Sequence, residues 1–326
     1  MRDVLGWRRK LAIMAPSTNT IVQPDCDDMR PHGVTNHYSR IFTPNNKALS
    51  NDSFRAGIQV IGDNVMDAVK SAMTMEPDYL VMGISALSFF GGLKGADAFV
   101  ARIEEMTGLK MTVGSHATAA ALKAYGGIRR IAVLTPYWPV MNAEVKGYFR
   151  DVGIEVVRDI ALQCTSWTGI AEVTPAQCRD ALRTLDGDDV DALVQVGTNL
   201  SMVRLAAAAE LWLGKPVIAI NTATYWHALR ANGIEDKVPG SSAQMVLGEA
   251  VLALPLEGII DFAAERARLT KELEKVEKDI GVIEARLGNP GFVAKAPEDV
   301  LEETRERKSA LTAQRDKLNE AVKRLN

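Results

Sequence analysis

The sequence predicts an α/β fold: two doubly wound parallel-sheet lobes related by a pseudo-twofold axis, followed by a C-terminal antiparallel coiled-coil helical hairpin. Three observations carry this reading. First, the chain repeats itself. Arg9-Lys10-Leu11-Ala12-Ile13-Met14-Ala15-Pro16 returns as Arg129-Arg130-Ile131-Ala132-Val133-Leu134-Thr135-Pro136, and Asp78-Tyr79-Leu80-Val81 returns as Asp191-Ala192-Leu193-Val194. Second, short apolar runs alternate with amphipathic stretches, the pattern of parallel sheets. Third, beyond about Ala263 the apolar residues fall into an a/d seam with a charged remainder.

Taken in order, Leu11–Met14 is an apolar run stopped by Pro16 and reads as a buried strand. Thr35–Phe42 is a second strand. Phe54–Met75 has helical spacing (Ile58, Val60, Ile61, Val65, Met66, Val69, Met73). Tyr79–Met82 is a third strand that enters the polar turn Ser85-Ala86-Leu87-Ser88. Phe99–Met106 is helical, Met111–Val113 a strand, and Ala117–Tyr125 a helix ended by Gly126-Gly127. The second copy places strands near Ile131–Leu134, Glu155–Val157, Leu193–Val196 and Val217–Ile220. Helices near Asn142–Val152, Pro175–Leu185, Val203–Leu213 and Thr224–Ala231 alternate with them, and Leu193–Val196 runs into the matching turn Thr198-Asn199-Leu200-Ser201. In the tail, Leu269, Leu273, Val276, Ile280, Ile283 and Leu287 form one seam. Gly288-Asn289-Pro290-Gly291 breaks it. A second helix from about Pro297 carries Leu311, Leu318 and Leu325 one heptad apart, which completes a hairpin. We assign 1–115 and 217–238 to the first lobe with its return segment, 116–216 to the second lobe, 239–262 to a linker and 263–326 to the hairpin.

Bulk properties narrow the function. At 326 residues the chain has room for two domains and a sizeable core. It is 47% hydrophobic and 24% charged, within the ordinary globular range. A formal net charge of -3 gives the whole chain no general attraction to nucleic acid or acidic membranes. Cys26, Cys164 and Cys178 are widely spaced, and His32, His37, His116 and His227 share no metal spacing, so neither a disulfide framework nor a metal site is indicated. Nucleotide binding is not expected: Gly91-Gly92 and Gly126-Gly127 read as turns and form no phosphate-binding loop. The apolar run behind Arg8-Arg9-Lys10 is too short for a signal-peptide core or a membrane span, so a cytoplasmic location is expected.

Residues 6–238 resemble the Asp/Glu racemase superfamily, nearest its maleate cis-trans isomerase and arylmalonate decarboxylase branch. The resemblance rests on Ala15-Pro16-Ser17-Thr18-Asn19-Thr20, Leu134-Thr135-Pro136-Tyr137, Gly91-Gly92 and Trp226-His227-Ala228-Leu229, together with the repeat. Residues 241–326 resemble the C-terminal end of valyl-tRNA synthetase, through Ala253-Leu254-Pro255-Leu256-Glu257-Gly258 and Asn289-Pro290-Gly291-Phe292-Val293-Ala294. In that family the hairpin touches tRNA, which implies a tRNA contact here. A gene fusion and a borrowed helical tail both account for the join. The first resemblance implies a cofactor-independent enzyme acting on a small carboxylate-bearing substrate in an inter-lobe cleft, and a homo-oligomer.

The same resemblance implies catalytic cysteines, one per lobe, or one alone in the decarboxylase branch. This sequence departs from it: the matching turns read Gly83-Ile84-Ser85-Ala86 and Val196-Gly197-Thr198-Asn199, and the repeat pairs Ser85 with Thr198. A hydroxyl has a far higher pKa than a thiol and needs an adjacent base to attack. His116, after Val113-Gly114-Ser115, is the candidate base, with packing at a helix start as its structural alternative. Ser85, Thr198 and His116 are therefore the catalytic candidates. Asn19, Ser17, Tyr137 and Asn199 are the substrate-binding candidates, although Ser17 and Asn19 also suit helix capping and Tyr137 an interface. Cys26 sits among acids in Asp25-Cys26-Asp27-Asp28, which disfavours its thiolate. Three readings stay open: an isomerase or decarboxylase with altered residues; a hydrolase of a small amide, imide or lactone using Thr198 or Ser85 with His116; and a non-catalytic small-acid binding protein with a tRNA-binding or structural tail.

Overall fold

The computed structural model describes residues 3–234, 242–247, 250–255, 262–289 and 297–324. The chain divides into two compact units, residues 1–235 and 236–326. In the first, β1 (Arg9–Pro16), β2 (Val34–Ile41), β3 (Tyr79–Met82) and β4 (Met111–Thr112) form a parallel sheet of order β2-β1-β3-β4. Next, β5 (Arg130–Thr135), β6 (Glu155–Ala161), β7 (Ala192–Gln195) and β8 (Val217–Ala219) form a second, of order β6-β5-β7-β8. The repeat in the sequence is thus a repeat of topology.

The recurrent Asp has a structural cause. Asp78, just before β3, accepts the amide of Lys10 at 2.7 Å. Asp191, just before β7, accepts the amides of Arg129 and Arg130 at 2.9 and 2.8 Å. Each carboxylate fixes the start of the neighbouring central strand and so sets the register of β1 on β3 and of β5 on β7. The hydrogen bonds from Arg129 and Arg130 hold the Asp191 carboxyl below its usual range.

Helices α1 (Val22–Asp28), α2 (Asn51–Asp63), α3 (Val65–Met73), α4 (Ala86–Phe89), α5 (Gly92–Thr107) and α6 (Gly114–Tyr125) accompany the first sheet in sequence; α7 (Pro139–Asp151), α8 (Pro175–Leu185), α9 (Val203–Leu213) and α10 (Ile220–Ala231) accompany the second. Ser50 with Ser53 and Thr174 with Gln177 make capping boxes at α2 and α8. The single helix expected over Phe54–Met75 is broken at Asn64, whose side-chain amide donates to the Val60 carbonyl at 2.8 Å and so competes with the helix ladder. The short helices α1 and α4 have too few residues to carry a periodic signal.

Two expected boundaries move. Residues 217–219 do not return to the first lobe, because β8 pairs with β7. Only α10 crosses back, packing Tyr225 and Ala228 against Leu11, Ile13 and Val22 of the first sheet and α1. The stretch taken as a linker also holds an antiparallel ladder of β9 (Ser242–Leu247) and β10 (Ala250–Pro255). Its sequence signal is two apolar runs flanking Gly248-Glu249, a composition suited to a tight hairpin.

In the second unit α11 (Phe262–Leu287) and α12 (Glu298–Arg324) pack through Leu269, Val276, Ile280 and Leu318, with Leu273, Leu311 and Val322 at the margin. Lys308 pairs with Glu284 at 2.8 Å. Leu325, assigned to the seam from sequence, lies outside the described residues. Among these residues no helix is long and apolar enough to cross a membrane.

Leu80 and Leu193 occupy equivalent places in β3 and β7, both fully buried and in one continuous core. Leu80→Ala and Leu193→Ala should each cost about 3 kcal/mol. Because the core is shared, both should lower the same single transition in urea unfolding followed by tryptophan fluorescence. Separate transitions for the two lobes would contradict this.

Candidate functional site

In an open parallel sheet the crevice lies at the carboxyl ends of the strands, where strand order reverses. Each sheet reverses at its central pair, β1/β3 and β5/β7. All four ends contribute to one cavity: Pro16 ends β1 and Thr18 and Asn19 follow it, Ile84 and Ala86 follow β3, Tyr137 follows β5, and Gly197, Thr198 and Asn199 follow β7. Ile58 and Ile61 of α2, with Trp167 and Ile170 after β6, add an apolar wall. The cavity measures about 40 Å³, room for roughly three waters, so it suits a small ligand.

Its polar side is built from two reciprocal contacts. Ser85, after β3, meets the Tyr137 hydroxyl after β5 at 2.8 Å. Thr198, after β7, accepts from Asn19 Nδ2 after β1 at 3.1 Å and donates to the Gly83 carbonyl at 3.0 Å. Each polar turn therefore reaches the first loop of the other copy. Burial pushes the Tyr137 phenol well above its ordinary pKa, with the Ser85 hydrogen bond opposing, so it remains a neutral donor. Asn199 joins three segments: its Oδ1 accepts from Thr20 N at 3.0 Å and its Nδ2 donates to the Trp167 carbonyl at 2.9 Å. The N–H groups of Ser85, Thr198 and Asn199 have no acceptor among the described residues. Preorganised N–H groups of this kind suit an oxyanion.

The candidate residues separate cleanly. Asn19, Tyr137, Thr198 and Asn199 line the cavity, and Ser85 lies directly behind its wall against Tyr137. Asn19 also performs the capping role, its Oδ1 taking the amides of Ile21 and Val22 at 3.0 and 2.9 Å at the start of α1. Ser17 does not reach the cavity. It is exposed, and its hydroxyl accepts from Thr43 N at 2.9 Å, bracing the loop after β2.

His116 is also placed elsewhere: in the first turn of α6, its Nε2 is 3.1 Å from Asp97 and its ring faces Tyr148. Burial lowers its pKa, with Asp97 opposing. No hydrogen bond joins it to Ser85 or Thr198. The packing alternative is the one the structure realises, because α6 turns its first residues toward α5 and α7.

The three cysteines stand outside the cavity wall. Burial, with Asp25 and Asp27 adding to it, drives the Cys26 thiol far up. Burial likewise raises Cys164 and Cys178 to about 11. The sequence reading missed Trp167 and Ile170, which lie just before and in a single 3-10 turn, Gly169–Glu172, too short for periodicity. It also missed the chain behind Tyr137. Tyr137 N donates to Thr135 Oγ1 at 3.1 Å, Thr135 donates to Asn142 Oδ1 and Asn142 to Asp159 Oδ2, each at 2.6 Å.

Two separate likenesses to known proteins follow the two units. Residues 19–245 match the arylmalonate decarboxylase family profile, and residues 261–326 match the valyl-tRNA synthetase tRNA-binding arm. Valine–tRNA ligase of Cereibacter sphaeroides is 39% identical over 135 residues, 41% of this chain and 13% of the ligase. That of Zymomonas mobilis is 51% identical over 86 residues, 26% of this chain and 10% of the ligase. The chain thus spans only about a tenth of the length of these curated relatives.

Among solved structures, maleate cis-trans isomerase of Nocardia farcinica bound to TRIS superposes with a TM-score of 0.63 at 22% identity, over 71% of this chain and 95% of that one. A mutant of the same isomerase with a covalently bound succinylcysteine intermediate gives 0.62 at 22%, over 69% and 93%. A liganded double mutant of arylmalonate decarboxylase gives 0.56 at 21%, over 76% and 95%. At these identities the likeness establishes the fold.

Gly197 adopts φ +117, and a Cβ there would lie 2.4 Å from the Pro136 ring. Gly197→Ala should destabilise the protein by about 2–4 kcal/mol and displace Thr198. Chemical denaturation checks the first effect. The Thr198 and Asn199 amide signals in a ¹⁵N spectrum check the second.

Proposed function

The chain belongs to the arylmalonate decarboxylase family, and from that premise we propose that its first unit is a cofactor-independent enzyme acting on a small carboxylate in the cavity between the two sheets. The observation that carries this reading is the set of neutral donors drawn from both copies: the hydroxyl of Tyr137 with Ser85 behind it, Asn19, and the free N–H groups of Thr198 and Asn199. Such groups stabilise negative charge that develops on oxygen. We read the two lobes as related by a pseudo-twofold axis that passes through this site.

Within the family's range of reactions, the geometry favours decarboxylation. The succinylcysteine intermediate of the Nocardia farcinica isomerase mutant is thiol chemistry. Here the cavity wall carries no cysteine and the three thiols are held protonated by burial. Loss of carbon dioxide needs no attacking group. The carbon–carboxylate bond breaks, and its electron pair passes to the α-carbon and into the remaining carboxylate as an enediolate. The Thr198 and Asn199 N–H groups and Asn19 then bear the charge. Tyr137 gives its proton to the carbon and recovers one from water, with Ser85 holding the phenol in place. The net change is one dicarboxylate and one proton to one monocarboxylate and carbon dioxide.

Hydrolysis by a hydroxyl–histidine pair gains no support, since His116 faces Asp97 and Thr198 already donates to Gly83. The second reading is a binding protein that holds a small acid unchanged. The narrowness of the cavity favours it.

The test is proton NMR in deuterated buffer with malonate, arylmalonates, maleate, aspartate, hydantoins and lactones. We expect carbon dioxide loss with deuterium on the α-carbon. Tyr137→Phe should slow it by about a hundredfold or more, as loss of a general acid does, and Ser85→Ala less. Isomerised or ring-opened products would overturn decarboxylation. Line broadening without product would establish the binding reading.

For the second unit we propose an antiparallel coiled-coil hairpin that contacts tRNA. Helix α11 carries six basic and six acidic residues, α12 seven of each. This balance limits phosphate neutralisation. Binding to bulk tRNA should therefore show a shallow log–log salt slope of about −3, against about −0.9 per phosphate contacted. Filter binding at several salt concentrations measures it, and absence of binding at low salt would leave the hairpin a structural appendage.

A further inference from the structure

Behind the Thr198 turn lies a buried amide whose partners lead away from the cavity. Asn221 opens α10 and is 5% exposed. Its Nδ2 donates to the Thr198 carbonyl at 3.0 Å and to Asp25 Oδ2, on α1, at 2.8 Å. The amide nitrogen carries two hydrogens, so both bonds form at once. Asp25 therefore stands two hydrogen bonds from the Thr198–Asn199 peptide, whose two residues line the cavity. Asp159, on the opposite side, reaches the Tyr137 amide only through Asn142 and Thr135.

We infer that Asp25, acting through Asn221, is a positioning residue that fixes the Thr198 turn and makes anion binding in the cavity follow its ionisation. The inference rests on the carboxylate-binding reading above for its ligand but not for its geometry. An ionised Asp25 accepts a charge-assisted bond from Asn221, about twice as strong as a neutral one. That bond orients the amide so that its second hydrogen points to the Thr198 carbonyl. A protonated Asp25 accepts more weakly and carries a hydrogen of its own. The amide is then less firmly held, and the turn loses its fixed partner.

The surroundings place this transition above the range of a solvated aspartate. Burial is the largest influence and raises the Asp25 carboxyl; the Asn221 bond opposes it. Asp28 on the same helix raises it further, while Arg204 from α9, ion-paired to Asp28 at 2.6 Å, lowers it. From α10 the facing group is the neutral Asn221. The sign follows: above the Asp25 transition the turn is held and the donors are aligned, and below it they are released.

The experiment is a pH series of ¹⁵N spectra on the labelled full chain, from about pH 4 to 7.5, a window that brackets a raised carboxylate. The Asn221 side-chain amide and the Thr198 and Asn199 backbone N–H signals should shift together with one midpoint. In Asp25→Asn none of the three should move. Titration with malonate should give an affinity about fivefold higher above the midpoint than below it, and Asp25→Asn, which corrects for malonate's own protonation, should lose that difference.

Static signals in the unaltered protein, or the same titration in Asp25→Asn, would overturn the inference. If Asp25→Asn does not fold, Asn221→Ser serves. Asp25 then still titrates, but the Thr198 and Asn199 signals must not follow it; if they do, the inference fails. Concerted shifts with no malonate binding would sustain the Asp25 link and count against the ligand reading alone.

Discussion

Two crossed hydrogen bonds govern this molecule. The hydroxyl after β3 bonds the loop after β5, and the hydroxyl after β7 bonds the loop after β1. Each half of the repeat thus completes the other's strand ends. Remove either contact and the loops that enclose the cavity lose the side-chain bond that joins one copy's polar turn to the other copy's first loop. Ser85 and Thr198 are both buried, where an unpaired hydroxyl would carry a desolvation penalty. The two lobes must therefore meet in one alignment to satisfy them. The shared core below, which includes both Leu80 and Leu193, packs in that same alignment.

The copies have also diverged where it matters. Thr135 and Asn142 anchor the Tyr137 loop from behind, whereas the matching place of Thr135 in the first copy is Ala15, which has no hydroxyl to offer. Asn19 instead gains rigidity by capping α1. One side of the cavity is thus held by a buried polar chain and the other by a helix start. The apolar wall of Ile58, Ile61, Trp167 and Ile170 breaks the symmetry further.

Much of this was legible in the sequence, and the reasons are specific. The strands were visible because β1, β3, β5 and β7 are apolar runs buried on both faces. The repeat gave the equivalence of the Ser85 and Thr198 turns, and hence the place of the site, since a ligand crevice forms where parallel strands end. Asn19, Tyr137 and Asn199 followed from the same logic. His116 misled because a histidine at a strand end has no signal for which way its helix turns. Ser17 misled because a polar residue beside a site and one bracing a neighbouring loop look alike. Asn221 and Asp25 were silent because their contact joins residues 196 apart in the chain, through an amide with no local pattern. The return of α10 to the first sheet is equally a long-range event.

The paired aspartates at the opposite ends of the strands have a consequence for how the protein comes apart. Asp78 and Asp191 tie the strand starts through carboxylates, whereas the strand ends around the cavity are tied by neutral hydroxyls and amides. Asp191 is held below its usual pKa, so its contribution is complete above the unfolded value and fades as pH falls through the lower, folded one. Falling pH therefore works on the molecule from the cavity outward, because Asp25, raised by burial, protonates before Asp191. The Asp191 anchor is still ionised when Asp25 has taken up its proton, so the strand starts outlast the strand ends around the cavity.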